Sequence, residues 1–453
     1  MLVSPPRRSW SALLAAVLCL PLVSCNHYHK SDIPLPDVRA VGQVTIDFGA
    51  TKRRWIGRLP SPPVDDWTTY AHDEFRTAYE PQDVGIERDT LVKLKEAWHV
   101  RLPGPVKASP LVAGGSAYFA TRTGTVVALV AKTGTHRWSA TIARGEDIGM
   151  TPTLADGKIF VGTQGGTFAA LDASSGKMLW KIVLPGVMRG EPVVEHGEVI
   201  EGQAGGDQPE CVRGGVNAFD ERTGATKWTW NVSERTDDGG GVWSPITYDG
   251  RRLIFGTGNT CHHVALAADA LISLTPGGVP QWTYTSTDSR NDEDLGGATQ
   301  LYGNVAIITS KDGTILAVDA RTGRRLARRR LPLTVVGFGG IGAPSTDGTT
   351  LVVTGGSSDS PEVPHVTGTL VGLDRKLDVK WKLRTPFPMW GYVAIADGLG
   401  FTTFAKHLVA LDPGTGKVLW SAPLSTNSYA SPTVVPSGLY AVDLAGDAYA
   451  FRE

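Results

Sequence analysis

Seven stretches of this chain repeat one pattern of apolar and polar positions. Each runs through small or Gly residues into an alternating apolar strand, then an Asp, a Gly-bearing turn and, in most copies, a Trp. The copies are GTVVALVAKTGTHRW ending at Trp138, GTFAALDASSGKMLW at Trp180, GGVNAFDERTGATKW at Trp228 and ALISLTPGGVPQW at Trp282. GTILAVDARTGRRL ends at Leu326, with Leu where Trp is expected. GTLVGLDRKLDVKW ends at Trp381 and HLVALDPGTGKVLW at Trp420. Alternation of period two on both sides of a Gly turn predicts a β-hairpin. The repeats are 42, 48, 54, 44, 55 and 39 residues apart. A period near that length, made only of strands, predicts propeller blades.

The two ends predict how the ring closes. The chain finishes on GDAYAFRE, the first half of the unit without its Trp. LKEAWHVRL near the start supplies a Trp half around Trp98 with no strand before it. Joining them adds one blade and leaves no open sheet edge. The expected fold is therefore all-β: an eight-bladed β-propeller over residues 65–453, closed by the N-terminal strand pairing with the C-terminal blade. The repeated Trp is read as a packing residue between blades. The Asp and Thr-Gly of each unit are read as turn chemistry.

The first 64 residues do not follow the pattern. Arg7 and Arg8 precede a short apolar run from Ser11 to Leu22, then Leu22-Val23-Ser24-Cys25. About twelve apolar residues are too few to cross a ~30 Å hydrocarbon core, so residues 1–24 read as a signal peptide. The Leu-x-small-Cys ending resembles the bacterial lipobox, which implies cleavage before Cys25 and its lipidation. Residues 25–64, with Pro34, Pro36, Pro60, Pro62 and Pro63, read as a flexible tether. His27 and His29 are read as part of a solvated linker.

Composition narrows the function classes. The 453 residues carry a net charge of -1, which supplies no global footprint for nucleic acid. A hydrophobic content of 41% excludes a disordered chain, and four Cys exclude a disulfide scaffold. The 54 Gly and 13 Trp are what a turn-plus-Trp unit used many times requires.

The repeat resembles that of pyrroloquinoline quinone (PQQ) propellers. Two groups share it: quinoprotein alcohol dehydrogenases, including polyvinyl-alcohol-dehydrogenase-like members, and BamB-like lipoproteins of barrel assembly. DWTTYAHD from Asp66, then Thr77-Ala78-Tyr79 and LVKLKEAW, looks like the opening segment of the dehydrogenases. ECVRG at 210–214 resembles the segment supplying that family's calcium-binding Glu, here Glu210, with a one-residue difference in spacing. GGGVWSPITYDG resembles the segment whose Trp stacks on the quinone, here Trp243. GTGN resembles the one carrying the calcium-binding Asn, here Asn259. NDEDLGGATQL is similar to a D-x-D-x-G segment, and SKDGTILAVD places Lys311 at the cofactor-contacting basic position.

The resemblance thus implies PQQ held by Trp243, Lys311 and Arg213, and Ca2+ held by Glu210, Asn259 and Asp294. It places the catalytic carboxylate near Asp288 or at Asp292. The residue types suit the chemistry. An indole face stacks on a flat quinone, hard oxygen donors suit calcium, and Lys suits an anionic cofactor. A carboxylate can take an alcohol proton. The chain has no Cys-Cys pair, and with no C-x-x-C-H it attaches no c-type haem. An active enzyme of this kind would pass electrons to a separate acceptor.

Cys211 and Cys261 each flank a proposed ligand. Outside the cytoplasm two leftover thiols usually pair, so a disulfide tying adjacent blades is expected. His262 and His263 diverge in a strand and are not read as a metal site. Arg324, Arg325, Arg328, Arg329 and Arg330 coincide with the copy that lacks its Trp. They read as a solvated outer strand or as a contact for anionic lipid or an acidic partner. Three functions remain open: a PQQ- and calcium-dependent alcohol dehydrogenase of the cell envelope, a non-enzymatic envelope scaffold, and a propeller that has lost its cofactor. The partners expected are the membrane, through Cys25, and an envelope protein or electron acceptor, with no nucleic acid.

Overall fold

The computed structural model describes residues 66–453 apart from 206–210, 262–264, 287–293, 334–341, 347 and 359–365. The strands group into eight antiparallel sheets, each beginning at an inner strand and ending at an outer one. Blades 1 to 7 start at Leu111–Ala113, Thr153–Ala155, Val193–Glu195, Thr247–Tyr248, Gln300–Tyr302, Ser345–Thr346 and Ala394–Ala396. They end at His136–Thr141, Met178–Val183, Thr226–Asn231, Pro280–Thr285, Arg325–Arg330, Val379–Thr385 and Val418–Pro423. Blade 3 carries a short fifth strand, Val187–Met188. The eighth blade is the expected composite. Lys95–Arg101 pairs antiparallel with Asp447–Arg452 and so becomes the outer strand of the sheet that Thr433–Val435 begins. Among the described residues the only helical turn is Leu91–Lys93.

One detail recurs in every blade. The register slips by one residue just before the Trp position, as between Ala128 and Leu129 opposite Trp138. The extra residue bends the outer strand and re-aims the indole. Trp138 then donates its Nε1–H to Ala173 O of blade 2 at 3.1 Å. Trp180, Trp282 and Trp381 make the matching bond at 2.9, 3.0 and 3.0 Å. The turn glycine of one blade lies under the Trp of the blade before it. Gly176 has φ +72°, and a Cβ there would stand 2.5 Å from the Trp138 ring. Gly and Trp of the repeat are therefore two halves of one contact between blades.

The blade that lacks its Trp shows the same logic in reverse. The strand register corrects the expected place of Leu326: Ala327 takes the Trp position in blade 5, pairing with Ala317 as Trp138 pairs with Ala128, and Leu326 is the extra residue of the slip. The facing turn in blade 6 is one residue shorter. Its left-handed position holds Leu377 instead of Gly, with φ +64° and 1% exposure. Leu377 and Leu326 belong to one apolar cluster. A second branched side chain fills part of the wedge the indole would occupy.

Residues 67–80 cross one mouth of the channel. Trp67 bridges Val112, Leu154 N–H donates to Thr68 O at 2.8 Å, and Tyr248 N–H to Glu74 O at 2.9 Å. Leu301 N–H donates to Phe75 O and Ile395 N–H to Ala78 O, at 3.2 and 2.8 Å. The segment thus touches the inner strands of five blades and plugs the mouth lined by the first turns. Ala71, His72, Arg76 and Ala78 all have positive φ, at 54°, 78°, 58° and 53°. Such conformations cost about 1–3 kcal/mol each for non-Gly residues and persist only where surroundings impose them. Arg76 supplies much of that constraint. It is fully buried, and its guanidinium donates to Ile246 O, Thr69 Oγ1, Tyr70 O and Glu191 O.

Candidate functional site

The opposite mouth is built from two kinds of loop. One joins the outer strand of a blade to the inner strand of the next. The other joins the second strand of a blade to its third. Trp243 and Asp294 lie on loops of the first kind, and Arg213, Asn259 and Lys311 on the second. All therefore sit on one face, around the sector of blades 3, 4 and 5.

Four of the expected residues meet there. The Lys311 ammonium lies 5.0 Å from the centroid of the Trp243 ring and 2.6 Å from Asp294 Oδ2. The other carboxyl oxygen of Asp294 accepts from Asn259 N–H at 2.9 Å. Lys311 N–H donates to Asp294 O at 3.0 Å, so the loops of blades 4 and 5 are joined twice. Asp294 is 3% exposed, while Trp243 and Lys311 are half-buried. Burial pushes the Asp294 carboxyl above its ordinary range, and the ammonium beside it pulls back against that shift. Backbone closes in on the indole at Gly296, where a methyl would collide with the ring, and at Gly258, where a Cβ would stand 3.0 Å from Trp243 Nε1.

Cys211 and Cys261 form a disulfide with Cα atoms 6.3 Å apart. It joins the second-to-third-strand loops of blades 3 and 4, as expected. Cys261 N–H donates to Asp238 O and Gly240 N–H to Asn259 O, at 2.8 and 3.1 Å. The bridge therefore braces the segment that carries Asn259. Arg213 lies beside it, but its guanidinium donates to Glu234 O at 3.4 Å, and no contact with Trp243 or Lys311 is formed among the described residues. Glu210, Asp288 and Asp292, together with His262 and His263, lie outside the described residues.

The channel mouth also contains residues that motif reading did not pick out. Four residues before each inner strand, the chain reaches an equivalent place at the mouth. Trp243 occupies it before blade 4. The same place holds Lys107, Gly149, Arg189, Gly296, Trp390 and Tyr429 before blades 1, 2, 3, 5, 7 and 8. Trp390 and Tyr429 stack with centroids 4.2 Å apart and planes at 10°, and Phe387 adds to them at 4.8 Å from Tyr429. The Lys107 ammonium lies 6.0 Å from the Tyr429 ring. The signal for these positions was present in the sequence as an offset from each repeat.

Two residues before the inner strands, a second ring ties the blades together. Tyr392 N–H donates to Ser431 Oγ at 2.7 Å, Ser431 N–H to Ser109 Oγ at 3.1 Å, and Ser109 N–H to Thr151 Oγ1 at 3.1 Å. Thr151 N–H continues it to the Glu191 carboxyl. Burial raises Glu191 to about 8 against the pull of Arg76, and it pushes Glu201 well above its ordinary range. Neither carboxyl oxygen of Glu201 has a hydrogen-bond partner among the described residues.

Eight blades, seven of them carrying the wedging Trp, with one further indole set apart at the mouth, define a closed propeller of the PQQ-repeat type. The chain belongs to that family. A family model described as "Outer membrane protein assembly factor BamB" matches residues 122–375 and 212–433. Another, described as "Glucose/ethanol/alcohol dehydrogenase, beta-propeller domain", matches residues 67–149. No curated protein sequence matches the chain.

Among solved structures, the chain is similar to a europium-containing methanol dehydrogenase, with a TM-score of 0.70 and 19% identity over 86% of this chain and 98% of that one. It is similar to the quinohemoprotein alcohol dehydrogenase of Comamonas testosteroni, with a TM-score of 0.71 and 20% identity over 89% and 83%. BamB from Moraxella catarrhalis gives a TM-score of 0.57 and 18% identity over 80% and 100%. At these identities the likeness establishes the fold alone.

The residues fit one of the implied groups better than the other. A half-exposed indole with an ammonium beside it suits a flat polyanion. For a calcium ion, Asn259 and Asp294 are adjacent, but both Asp294 oxygens are already engaged. Among the described residues no three acidic, His or Cys side chains gather around a common point.

Proposed function

We propose that the chain is a quinoprotein of the bacterial cell envelope, anchored by lipid on Cys25, that binds PQQ at Trp243 and Lys311 and oxidises an alcohol. The observation that carries this reading is the placement of Lys311 against both the Trp243 ring and Asp294. It brings together, across blades 4 and 5, residues that the family resemblance assigns to one cofactor site. PQQ, when bound, supplies the two-electron oxidant. Trp243 offers its ring as the surface on which the flat group rests. Lys311 supplies positive charge for its carboxylates, and Asp294 holds that ammonium in place. Asp292 or Asp288, on the loop leading to Asp294, takes the alcohol proton in this reading. Calcium is assigned to Glu210, Asn259 and Asp294 by resemblance, and no step is routed through it. Electrons leave to a separate acceptor, because the sequence has no c-type haem motif. No helix among the described residues is long and apolar enough to cross a membrane.

The test is reconstitution of the purified chain with PQQ and calcium, followed by quinone absorbance and dye-linked alcohol oxidation. Absence of binding at micromolar cofactor would sink this reading.

The engaged state of Asp294 favours a second reading. A carboxylate held by Lys311 and by Asn259 N–H stabilises the loops without any ligand. In that case the propeller is a BamB-like scaffold for envelope proteins. Recovery of a stoichiometric partner from solubilised envelope, with no bound quinone, is its test.

A further inference from the structure

The outer edge of the ring carries one strongly asymmetric patch. Residues 319–330 of blade 5 and 374–385 of blade 6 hold eleven Lys and Arg against three Asp, while the whole chain has a net charge of -1. They form the last turn and outer strand of two neighbouring blades, Arg325–Arg330 and Val379–Thr385. Lys380, Lys382 and Arg384 are exposed, as are Arg324 and Arg330, and Arg328 and Arg329 are partly so. Two of the three carboxylates are occupied in their own turns. Asp319 accepts from the N–H groups of Arg321 and Thr322, and Asp374 from those of Lys376 and Asp378. Asp378 reaches Arg329 only at 3.9 Å.

A second observation falls on the same groove. Blades 5 and 6 are the pair whose wedge has Ala327 and Leu377 in place of the Trp and Gly, with Leu326 packed beside them. Lys382 spans this groove, its ammonium donating to Pro332 O beyond the end of the blade 5 strand at 3.0 Å. Like charges gathered on two adjacent strands repel and destabilise the fold unless counter-charge arrives. Nothing in the turn or strand pattern requires them there.

We propose that the rim of blades 5 and 6 is a docking surface for anionic phospholipid headgroups. Guanidinium groups bind phosphate oxygens in pairs, and lysines add point charge. A strand edge with long basic side chains presents this chemistry over an extended front rather than in a closed pocket, as a lipid surface requires. The choice of membrane over an acidic protein rests on the lipid anchor at Cys25 in the proposed function. The tether of 25–64 then keeps the propeller within reach of the surface, and the rim sets which side it turns towards it.

The test uses the chain from Asn26 onward, which contains the whole closed ring and lacks the lipid. It is sedimented with vesicles of three parts phosphatidylethanolamine to one part phosphatidylglycerol, and with phosphatidylcholine vesicles. Binding to the anionic vesicles is expected, falling steeply as salt shortens the screening length. Each basic residue near such a surface strengthens binding about fivefold. Arg328→Glu, Arg329→Glu and Arg330→Glu together are therefore expected to weaken it by roughly 100-fold or more. The corresponding Arg→Lys variant keeps the charge and is expected to bind within a few-fold of the parent. Equal binding to phosphatidylcholine, or an unchanged affinity in the Glu variant, overturns the proposal. So does rim-dependent binding to polyglutamate with none to anionic vesicles, which assigns the patch to an acidic protein. PQQ is absent from every arm, so failure here leaves the cofactor reading untouched.

Discussion

Lys311 reaches over the ring of Trp243, with its ammonium 5.0 Å from the centroid, while 2.6 Å from Asp294. One cation thus joins the aromatic surface of blade 4 to a buried carboxylate. Replacing Lys311 by Met removes the charge and keeps much of the stem. It leaves Asp294 buried with one partner fewer, which costs about 3–5 kcal/mol for a buried pair broken on one side. Double replacement with Asp294→Asn is expected to recover part of that loss. Urea denaturation of the two single variants and the double variant measures the coupling, and simple additivity would show that the pair is not coupled.

The plug sets the pH dependence of stability. Burial opposes charge on His72, but Asp73 and Glu80 outweigh it and raise it from 6.5 to about 9. Burial raises Glu74 and Glu191 from 4.5 to about 8. All three bind protons more tightly in the folded chain than in the unfolded one. Their contribution is full below the unfolded values and is lost as pH rises through 8 to 9. The urea midpoint is expected to fall between pH 5 and 9, and Glu191→Gln to flatten that fall. A midpoint that rises across this range contradicts the assignment.

The disulfide closes a loop of 50 residues between blades 3 and 4. A bridge of that span typically contributes about 2–4 kcal/mol. Cys211→Ser with Cys261→Ser is expected to lower stability by that order and to weaken ligand binding through the Asn259 segment. Peptide mapping under non-reducing conditions should recover the two cysteines linked; two free thiols would remove the idea.

Gly176→Ala tests the contact between blades. A Cβ at φ +72° and 2.5 Å from the Trp138 ring forces strain and displacement together. The expected loss exceeds the ~1 kcal/mol of an ordinary conformational mismatch. Trp138→Phe in the same background should relieve part of it. Equal stability of Gly176→Ala and the parent would show that the wedge is loose.

Much of the ring was legible in the sequence because its stabilising contacts are local to each repeat. The unmatched half-units around Trp98 and Tyr449 are enough to predict eight blades. The fifth copy without its Trp marked the odd groove, but counting along the repeat put Leu326 where the bulged register puts Ala327, and only the structure shows that Leu377 packs there from the next blade. The pairing of Cys211 with Cys261 also followed from the sequence. The plug was not legible. Arg76 bonds to Ile246, 170 residues away, and no periodicity links them. The mouth positions of Trp390, Tyr429 and Lys107 were hidden for another reason. They differ in chemistry, and only their common offset from the inner strands relates them. Arg213 was placed by its neighbours in sequence, whereas its side chain follows the nearby Glu234 carbonyl.

The most direct measurement is PQQ titration of the purified chain and of Trp243→Ala, in calcium buffer, followed by quinone absorbance. The account predicts saturable binding at micromolar cofactor. It also predicts an affinity about tenfold lower in the variant, the order that loss of an aromatic contact of ~1.5 kcal/mol implies. No binding by the parent chain, or equal affinity in the two, contradicts it.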